Sequence, residues 1–126
     1  MLKKLLLYLA VLLYVLAGIN HFINPGLYTR LIPPYLPLPG MLNYASGVFE
    51  IVLGVMLVFS KSRFVGTMGI VLMLVAFIPA HIYSIQIACG NNEGCTAQWI
   101  AWIRLFIIHP FLIVWAWRLR NLTITS

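Results

Sequence analysis

The sequence predicts an all-α membrane protein, built as a bundle of four transmembrane helices. Of its 126 residues, 63% are hydrophobic and only 8% are charged, whereas a soluble domain carries roughly 25% charged residues. A chain of this length cannot bury so much apolar surface in one water-soluble core. We therefore expect a single membrane domain over residues 1–126, whose main partner is the lipid bilayer.

Four apolar runs are long enough to cross a membrane. A transmembrane helix needs about 20 apolar residues to cross about 30 Å of hydrocarbon. These runs are too continuous for barrel strands, in which apolar and polar residues alternate. The predicted spans cover residues 2–22, 41–59, 64–87 and 97–117. Only a short polar turn separates the second span from the third, so these two are expected to form a helical hairpin.

The basic residues indicate the orientation of the bundle. Short cytoplasmic loops are enriched in Lys and Arg, and one orientation places all three basic clusters in the cytoplasm. We therefore predict a multi-pass protein of a bacterial-type inner membrane, with both termini cytoplasmic. No nucleic-acid partner is expected despite a net charge of +6, because no basic stripe with interleaved aromatics remains. The clusters are Lys3/Lys4, Lys61/Arg63 and Arg118/Arg120.

The first apolar run has a second interpretation, as a cleaved signal peptide. Lys3 and Lys4 precede an apolar stretch, as in a secretory signal, and Val15-Leu-Ala17 fits a cleavage site. Because the apolar run continues past that site and fills a full span, we expect it to be retained as a helix.

The segment between the first two spans, residues 20–40, contains five of the seven prolines. Asn24 followed by Pro25 is typical of a helix start, so a short interfacial helix is predicted over residues 25–32. The proline-rich stretch 33–39 cannot continue a helix and is expected to run extended. It is either a stiff connector, which its composition favours, or a lid over the outer end of the bundle.

Cys89 and Cys95 are the only two cysteines, and both fall in the predicted outer loop between the third and fourth spans. On the oxidising side of the membrane, a disulfide that closes this short loop is the simplest expectation. Redox-active pairs favour two intervening residues, whereas five separate this pair. A redox-active, unpaired or metal-bound state stays open as an alternative, although two thiolates do not complete a zinc site and no metal is expected.

Two opposite charges lie inside the predicted spans. Glu50 is in the middle of the second span, and Arg104 lies about two turns into the fourth. A charge at the centre of a span costs about 2.5–3.5 kcal/mol on insertion scales, so such residues usually face the bundle interior and find partners. Their similar depth predicts a buried ion pair between Glu50 and Arg104.

Helical spacing places small and polar residues of the first two spans on shared faces. Residues at i, i+4, i+7 and i+11 lie on one side of a helix. A face of small residues beside a carboxylate allows close helix approach and leaves room for a ligand. The second span carries Asn43, Gly47, Glu50 and Gly54 in this spacing, and the first carries a similar stripe of Ala10, Tyr14, Ala17/Gly18 and His21.

Polar side chains of all four spans are predicted to gather in the outer half of the bundle and to form the candidate site. One interpretation is a ligand, ion or proton pathway, which intramembrane ionisable groups often mark. The alternative is a set of polar contacts that fixes helix register. No motif identifies a catalytic residue. The candidate residues are Asn20, His21, Tyr44, Glu50, His81, Tyr83, Gln98 and Arg104.

His109 is left outside this candidate site. It follows Arg104 by five residues, which on a regular helix places the two side chains roughly 140° apart. Pro110, its neighbour, accounts for local polarity in the helix, so a structural role is favoured for His109.

Four short motifs follow one another over nearly the whole chain: Gly18-Ile-Asn-His-Phe22, Ile32-Pro-Pro34, Tyr44-Ala-Ser-Gly47 followed by Glu50-Ile51, and Ile78-Pro-Ala-His-Ile-Tyr83. Their order and spacing resemble those of DoxX-like membrane proteins. Membership implies a four-helix membrane bundle. The last motif has His81 where that family often has Asn, so a role for this imidazole is less transferable.

The resemblance implies more than one function. Some DoxX-related proteins are small subunits of quinone-linked oxidoreductases, including ones that act on thiosulfate, and others resemble assembly factors. The first hypothesis is a subunit of such an oxidoreductase rather than a complete enzyme, with a quinone as the candidate cofactor and with a protein partner or homo-oligomer. The alternatives are a non-enzymatic scaffold or assembly factor and, less favoured, a small-solute carrier, for which four helices are few.

Overall fold

The computed structural model describes residues 1–88 and 97–122, and this part of the chain consists of helices joined by turns, without a β-strand. The helices are α1 (Leu2–Ile23), α2 (Pro25–Thr29), α3 (Pro39–Met56), α4 (Arg63–Ala76), α5 (Ile78–Gln86), α6 (Gln98–Ile103), a π-helical segment (Arg104–Ile108) and α7 (His109–Leu119). The all-α fold class is therefore confirmed.

Three helical stretches are long and apolar enough to cross a membrane. They are α1, the α4–α5 stretch Arg63–Gln86 and the stretch Gln98–Leu119. The fourth long helix, α3, has 18 residues. It is less apolar than the other three because Asn43 and Glu50 interrupt its hydrophobic residues.

The helices pack as two pairs. α1 packs against α3, α4 packs against α7, and α3 joins the pairs by packing against α4. The α1–α3 contact is close because glycines face each other. A Cβ atom on Gly18 would lie 2.6 Å from the carbonyl oxygen of Gly47, and one on Gly54 would lie 3.1 Å from the Cβ of Tyr14. The predicted small-residue faces are confirmed, since all four residues of the α3 face are buried, as are Ala10, Tyr14, Gly18 and His21 of α1. Ala17 is half-buried.

The apolar core lies at one end of the bundle. It combines residues 7–14 of α1, the residue after α3, the second half of α4 and the end of α7, where the side chains are buried against one another. Because the buried polar residues of α3 and α5 lie toward the opposite end, the bundle is asymmetric along its axis. The core residues are Leu7, Ala10, Tyr14, Leu57, Ile70, Leu74, Ala116 and Leu119.

Arg63 closes the core end of the bundle. The sequence assigns it to a basic cluster at the membrane surface, but its side chain is only 3% exposed. Its guanidinium donates hydrogen bonds to the carbonyl oxygens of Leu57, Val58 and Leu122. The last carbonyls of a helix have no partner within that helix, so Arg63 satisfies groups at the ends of α3 and α7.

The connector between α1 and α3 differs from its prediction in two ways. The short helix α2 ends at Thr29, three residues before the predicted end at residue 32. The following stretch is folded rather than extended. Leu36 N–H donates to the carbonyl oxygen of Pro33 over 3.0 Å, and Leu38 has a left-handed φ of 52°. These turns reverse the chain so that it enters α3 beside α2, and α2 packs against α3.

Candidate functional site

A cavity of about 470 Å³ lies between the two helix pairs. Its walls come from α1, α2, the connector, α3, α4, α5, the π-helical segment and α7. Most of the wall is apolar, with side chains such as Leu13, Leu74 and Leu112. The connector contributes Pro33 and Leu36 to the wall, so it covers part of the cavity as well as joining helices. The polar lining residues are Tyr14, His21, Tyr28, Asn43, Ser46, Glu50, His81, Arg104 and His109.

Half of the candidate residues from the sequence line this cavity. They are His21, Glu50, His81 and Arg104. The other four, Asn20, Tyr44, Tyr83 and Gln98, are not among the lining residues.

Asn20 nevertheless contacts the site indirectly. Its amide donates to the hydroxyl of Tyr28 over 2.7 Å, and the Tyr28 ring stacks on His21 with 3.6 Å between ring centroids. Tyr44 is 45% exposed and stacks against Phe22 instead of entering the cavity. Tyr83 is half-buried and Gln98 is exposed.

His21 and Asn43 form a reciprocal pair of hydrogen bonds across the α1–α3 contact. The Asn43 amide nitrogen donates to the backbone carbonyl of His21 over 2.9 Å. Its side-chain oxygen lies 2.7 Å from His21 Nδ1. An amide oxygen only accepts hydrogen bonds, so Nδ1 of His21 carries a proton and donates it. Both side chains are buried.

The second ring nitrogen of His21 faces Glu50. Nε2 lies 3.6 Å from Glu50 Oε1, and both side chains are more than nine-tenths buried. This distance is an ion-pair distance and exceeds an ordinary hydrogen bond. The direct pair of Glu50 with Arg104, expected from the sequence, is not among the ion-pair contacts between described residues. Glu50 is held instead against α1, because the facing glycines bring α1 and α3 together.

His81 and His109 meet on the other side of the bundle, at two helix distortions. Their rings are in edge contact, with centroids 4.5 Å apart. His109 Nε2 donates to the carbonyl oxygen of Leu74 over 2.6 Å. That carbonyl is near the end of α4, where the helix breaks at Phe77 two residues before Pro79. Its interaction with His109 ties α4 to α7.

The π-helical segment places His109 in the wall of the cavity, outside the predicted set of site residues. The N–H of His109 donates to the carbonyl of Arg104, five residues earlier. A bond across five residues brings both side chains to the cavity, whereas five residues of a regular α-helix separate two side chains by roughly 140°. Pro110 has no N–H to continue α-helical bonding, and π-helical turns of this kind are frequent at functional sites.

Three buried polar atoms of the cavity residues have no hydrogen-bond partner among the residues that the structure describes. They are Tyr14 Oη, Glu50 Oε2 and His81 Nδ1. An unsatisfied buried polar group costs about 1–3 kcal/mol, so three around one cavity are unusual. Over the same ranges, 1–88 and 97–122, no three His, Cys, Asp or Glu side chains form a potential metal site.

Two of the residues that define the cavity were overlooked in the predicted site although the sequence carried a signal for each. Tyr14 and Asn43 both belong to the small-residue faces of α1 and α3, at helical spacing from His21 and Glu50. Spacing alone indicated that they face inward. Cys89 and Cys95 lie outside the described residues, and the disulfide between them stays a prediction.

A family model covers nearly the whole chain. It is described as a domain of unknown function, DUF8561, and it matches residues 9–120. The chain belongs to this family. Neither the curated proteins nor the solved structures contain a match to the chain. The matched region includes all the polar residues that line the cavity of this DUF8561 protein.

Proposed function

We propose that this DUF8561 protein crosses the membrane four times and holds a quinone-type headgroup in the cavity, as a subunit of a membrane oxidoreductase. One observation carries the proposal: Tyr14 Oη, Glu50 Oε2 and His81 Nδ1 border one apolar cavity without protein partners in the described chain. In hydrocarbon such groups have no bulk water to satisfy them. A ligand with an apolar ring and hydrogen-bonding oxygens matches both the wall and these polar atoms.

The cavity suits such a headgroup in size and chemistry. Its volume of about 470 Å³ falls in the range of roughly 300–1,000 Å³ typical of small-molecule sites. The Tyr14 hydroxyl and the Arg104 guanidinium are donors that suit carbonyl oxygens. When bound, a quinone supplies two-electron, two-proton redox chemistry. Because the sequence contains no recognisable motif for an electron carrier, the proposal includes a partner protein that delivers or removes electrons.

The fourth span in this proposal is α3. Its 18 residues extend for about 27 Å at 1.5 Å per residue, close to the hydrocarbon thickness of about 30 Å. Its polar face is buried against α1. The opposite face, which would contact lipid, is apolar and exposed, with Val48, Phe49, Val52 and Val55 between 43% and 60% exposed.

A topology experiment tests the number of spans. With the amino terminus in the cytoplasm, four spans return the carboxyl terminus to the cytoplasm, and three spans would place it outside. A fluorescent protein that matures only in the cytoplasm, fused after residue 126, is therefore expected to fluoresce. Alkaline phosphatase, active only outside, is expected to be active when fused within the connector at residue 37. Phosphatase activity at residue 126 would refute the four-span topology in a bacterial-type inner membrane.

The relation to DoxX-like proteins is part of the same proposal. The quoted motif residues Gly18, His21, Gly47 and Glu50 are the ones that build the α1–α3 contact and its ion pair. This supports a shared structural role for the motifs. This structural role of the motifs does not depend on the redox function, which is tested separately by ligand binding.

Ligand binding is tested with a single hydroxyl. Tyr14→Phe removes an oxygen that has no partner in the described chain, so folding should be unaffected. Binding of a short-chain quinone to protein in nanodiscs should weaken roughly tenfold, because a lost hydrogen bond of about 1.4 kcal/mol changes affinity tenfold. Tyr44→Phe, the matched control outside the cavity, should bind as the wild type does.

Two results would overturn the quinone proposal. One is that neither the purified protein nor the protein titrated with quinone binds it, while the membrane protein is folded. The other is equal affinity for the wild type and Tyr14→Phe, together with unchanged quinol oxidation in cells that lack the gene. In that case, co-purification of this protein with a partner complex would support the alternative function, a non-enzymatic scaffold.

A further inference from the structure

The buried His21 side chain is held in one protonation pattern by its neighbours. Its Nδ1 donates to Asn43 Oδ1 over 2.7 Å, and Asn43 is oriented by its own bond to the His21 backbone carbonyl over 2.9 Å. A flipped amide would place its oxygen against the His21 carbonyl oxygen, where two acceptors would face each other. Nδ1 is therefore protonated, and the only ring nitrogen free to gain or lose a proton is Nε2.

Glu50 is placed to exchange that proton. Its Oε1 faces His21 Nε2 at 3.6 Å, and its Oε2 is buried without a partner among the described residues. Glu50 itself lines the cavity. One carboxylate thus contacts the histidine through one oxygen and leaves the other for a ligand.

We propose that Glu50 is the proton-exchanging residue of the cavity, that His21 is its proton partner, and that Asn43 is a positioning residue that keeps His21 Nε2 directed at Glu50. The biological role of this proton exchange rests on the proposed ligand site, but the protonation pattern of His21 is a property of this chain alone. The pair holds one exchangeable proton between Nε2 and the carboxylate.

The proton balance of the pair is simple. With its proton, the pair is either an imidazolium beside a carboxylate or a neutral imidazole beside a carboxylic acid, and its net charge is zero in both forms. Interconversion breaks an N–H bond and forms an O–H bond, and no electrons move. When the proton passes from Glu50 to an acceptor oxygen of a ligand, a carboxylate and a neutral imidazole remain, with net charge −1.

The surroundings of the pair are suited to that charge change. Tyr14 and Tyr28 approach from α1 and α2, and His81, Arg104 and His109 line the cavity from the second helix pair. Arg104 provides a positive charge in the same cavity that offsets the negative pair, which a charge buried in a low-dielectric interior requires. A contact that only fixes the register of two helices would need neither the unpartnered Glu50 Oε2 nor Arg104 in the same cavity.

The first test measures the tautomer of His21. In protein labelled with ¹⁵N-histidine and reconstituted in nanodiscs without added ligand, the His21 signals are identified by their loss in His21→Gln. We expect neutral His21 to be the Nδ1–H tautomer in the wild type. Asn43→Leu, which cannot accept the hydrogen bond, should change the tautomer ratio by about tenfold, as expected for the loss of a bond worth about 1.4 kcal/mol.

The second test measures the link between the two side chains. The pH at which His21 Nε2 gains its proton should move by about one pH unit or more in Glu50→Gln, because a charge 4–6 Å away shifts protonation by about that much. Ser46→Ala, which removes another polar side chain of the same cavity wall, should leave this pH unchanged.

Specific results would refute the proposal. A wild-type Nε2–H tautomer would remove the role of Asn43, and the tautomer is measured on the wild-type protein once its His21 signals are assigned. An unchanged His21 titration in folded Glu50→Gln would remove the shared proton. If both tests succeed but quinone does not bind, the ligand assignment fails and the proton pair stands. If quinone binds but the tautomer and titration tests fail, the ligand assignment stands and the proton pair is refuted.

Discussion

The close contact between α1 and α3 makes Gly47 a demanding test of the fold. A Cβ atom at Gly47 would lie 2.7 Å from the Cβ of His21 and 2.9 Å from the carbonyl oxygen of Gly18. Ordinary Cβ contacts begin at 3.4 Å, so Gly47→Ala must move the two helices apart by about 0.7 Å, the difference between 3.4 Å and 2.7 Å. Both obstructing atoms belong to the rigid part of α1 and cannot rotate away.

The expected loss of stability follows from a comparison with Gly40. Overpacking of a close-packed contact costs about 1–3 kcal/mol, and replacing glycine by alanine in a helix returns up to about 1 kcal/mol. Gly40 lies in the same helix, and a Cβ atom there would meet nothing within 4 Å. Gly40 is in the first turn of α3 and gains less from helix propensity than the interior Gly47, so Gly47→Ala should be roughly 1–2 kcal/mol less stable than Gly40→Ala.

The assay is reversible unfolding of the purified protein in mixed micelles by a denaturing detergent, followed by circular dichroism. Gly26→Ala, where a Cβ atom also has open space, serves as a second control. Equal unfolding free energies for Gly47→Ala and Gly40→Ala would refute the close α1–α3 contact. Such a result would also remove the geometric basis for the contact between His21 and Glu50.

Three further predictions concern other parts of the chain. Arg63→Gln should lower the free energy of unfolding by about 1–3 kcal/mol, because that is the cost of one unsatisfied buried carbonyl. Lys61→Gln, at an exposed site in the same turn, should leave it unchanged, and unfolding in detergent compares the two variants. Pro110→Ala supplies the missing N–H, should convert the π-helical turn to α-helix and should rotate His109 away from Leu74, which the ¹⁵N signals of His109 report. If Cys89 and Cys95 form the predicted disulfide, neither should be alkylated until a reductant is added. Mass spectrometry measures the labelling, and alkylation without reductant would refute the disulfide.

The inward faces of α1 and α3 could be predicted from the sequence because they depend on local geometry. The spacing of Asn43, Gly47, Glu50 and Gly54 fixes their shared side of the helix at about 100° per residue. Amide and carboxylate groups are costly in lipid, so the predicted membrane span was expected to turn that side inward. The structure buries all four residues.

The partner of Glu50 could not be predicted in the same way. Similar depth in the bundle favoured Arg104, which does line the same cavity. Depth does not determine which helices are adjacent. The facing glycines bring α3 onto α1, and this packing presents His21 to the carboxylate. The position of His109 could not be predicted either, because a π-helical turn has no dependable sequence signature.

By itself, the sequence determined that the chain is helical and apolar and which residues share a helix face, because hydropathy and periodicity are properties of single segments. Only the tertiary structure decided which side chains meet. Contacts between helices depend on their relative rotation, shift and distance, which here follow from the glycine contact of α1 with α3 and from the helix distortions near Pro79 and Pro110. Those same contacts place the unpaired oxygen of Glu50 at the cavity between the two helix pairs.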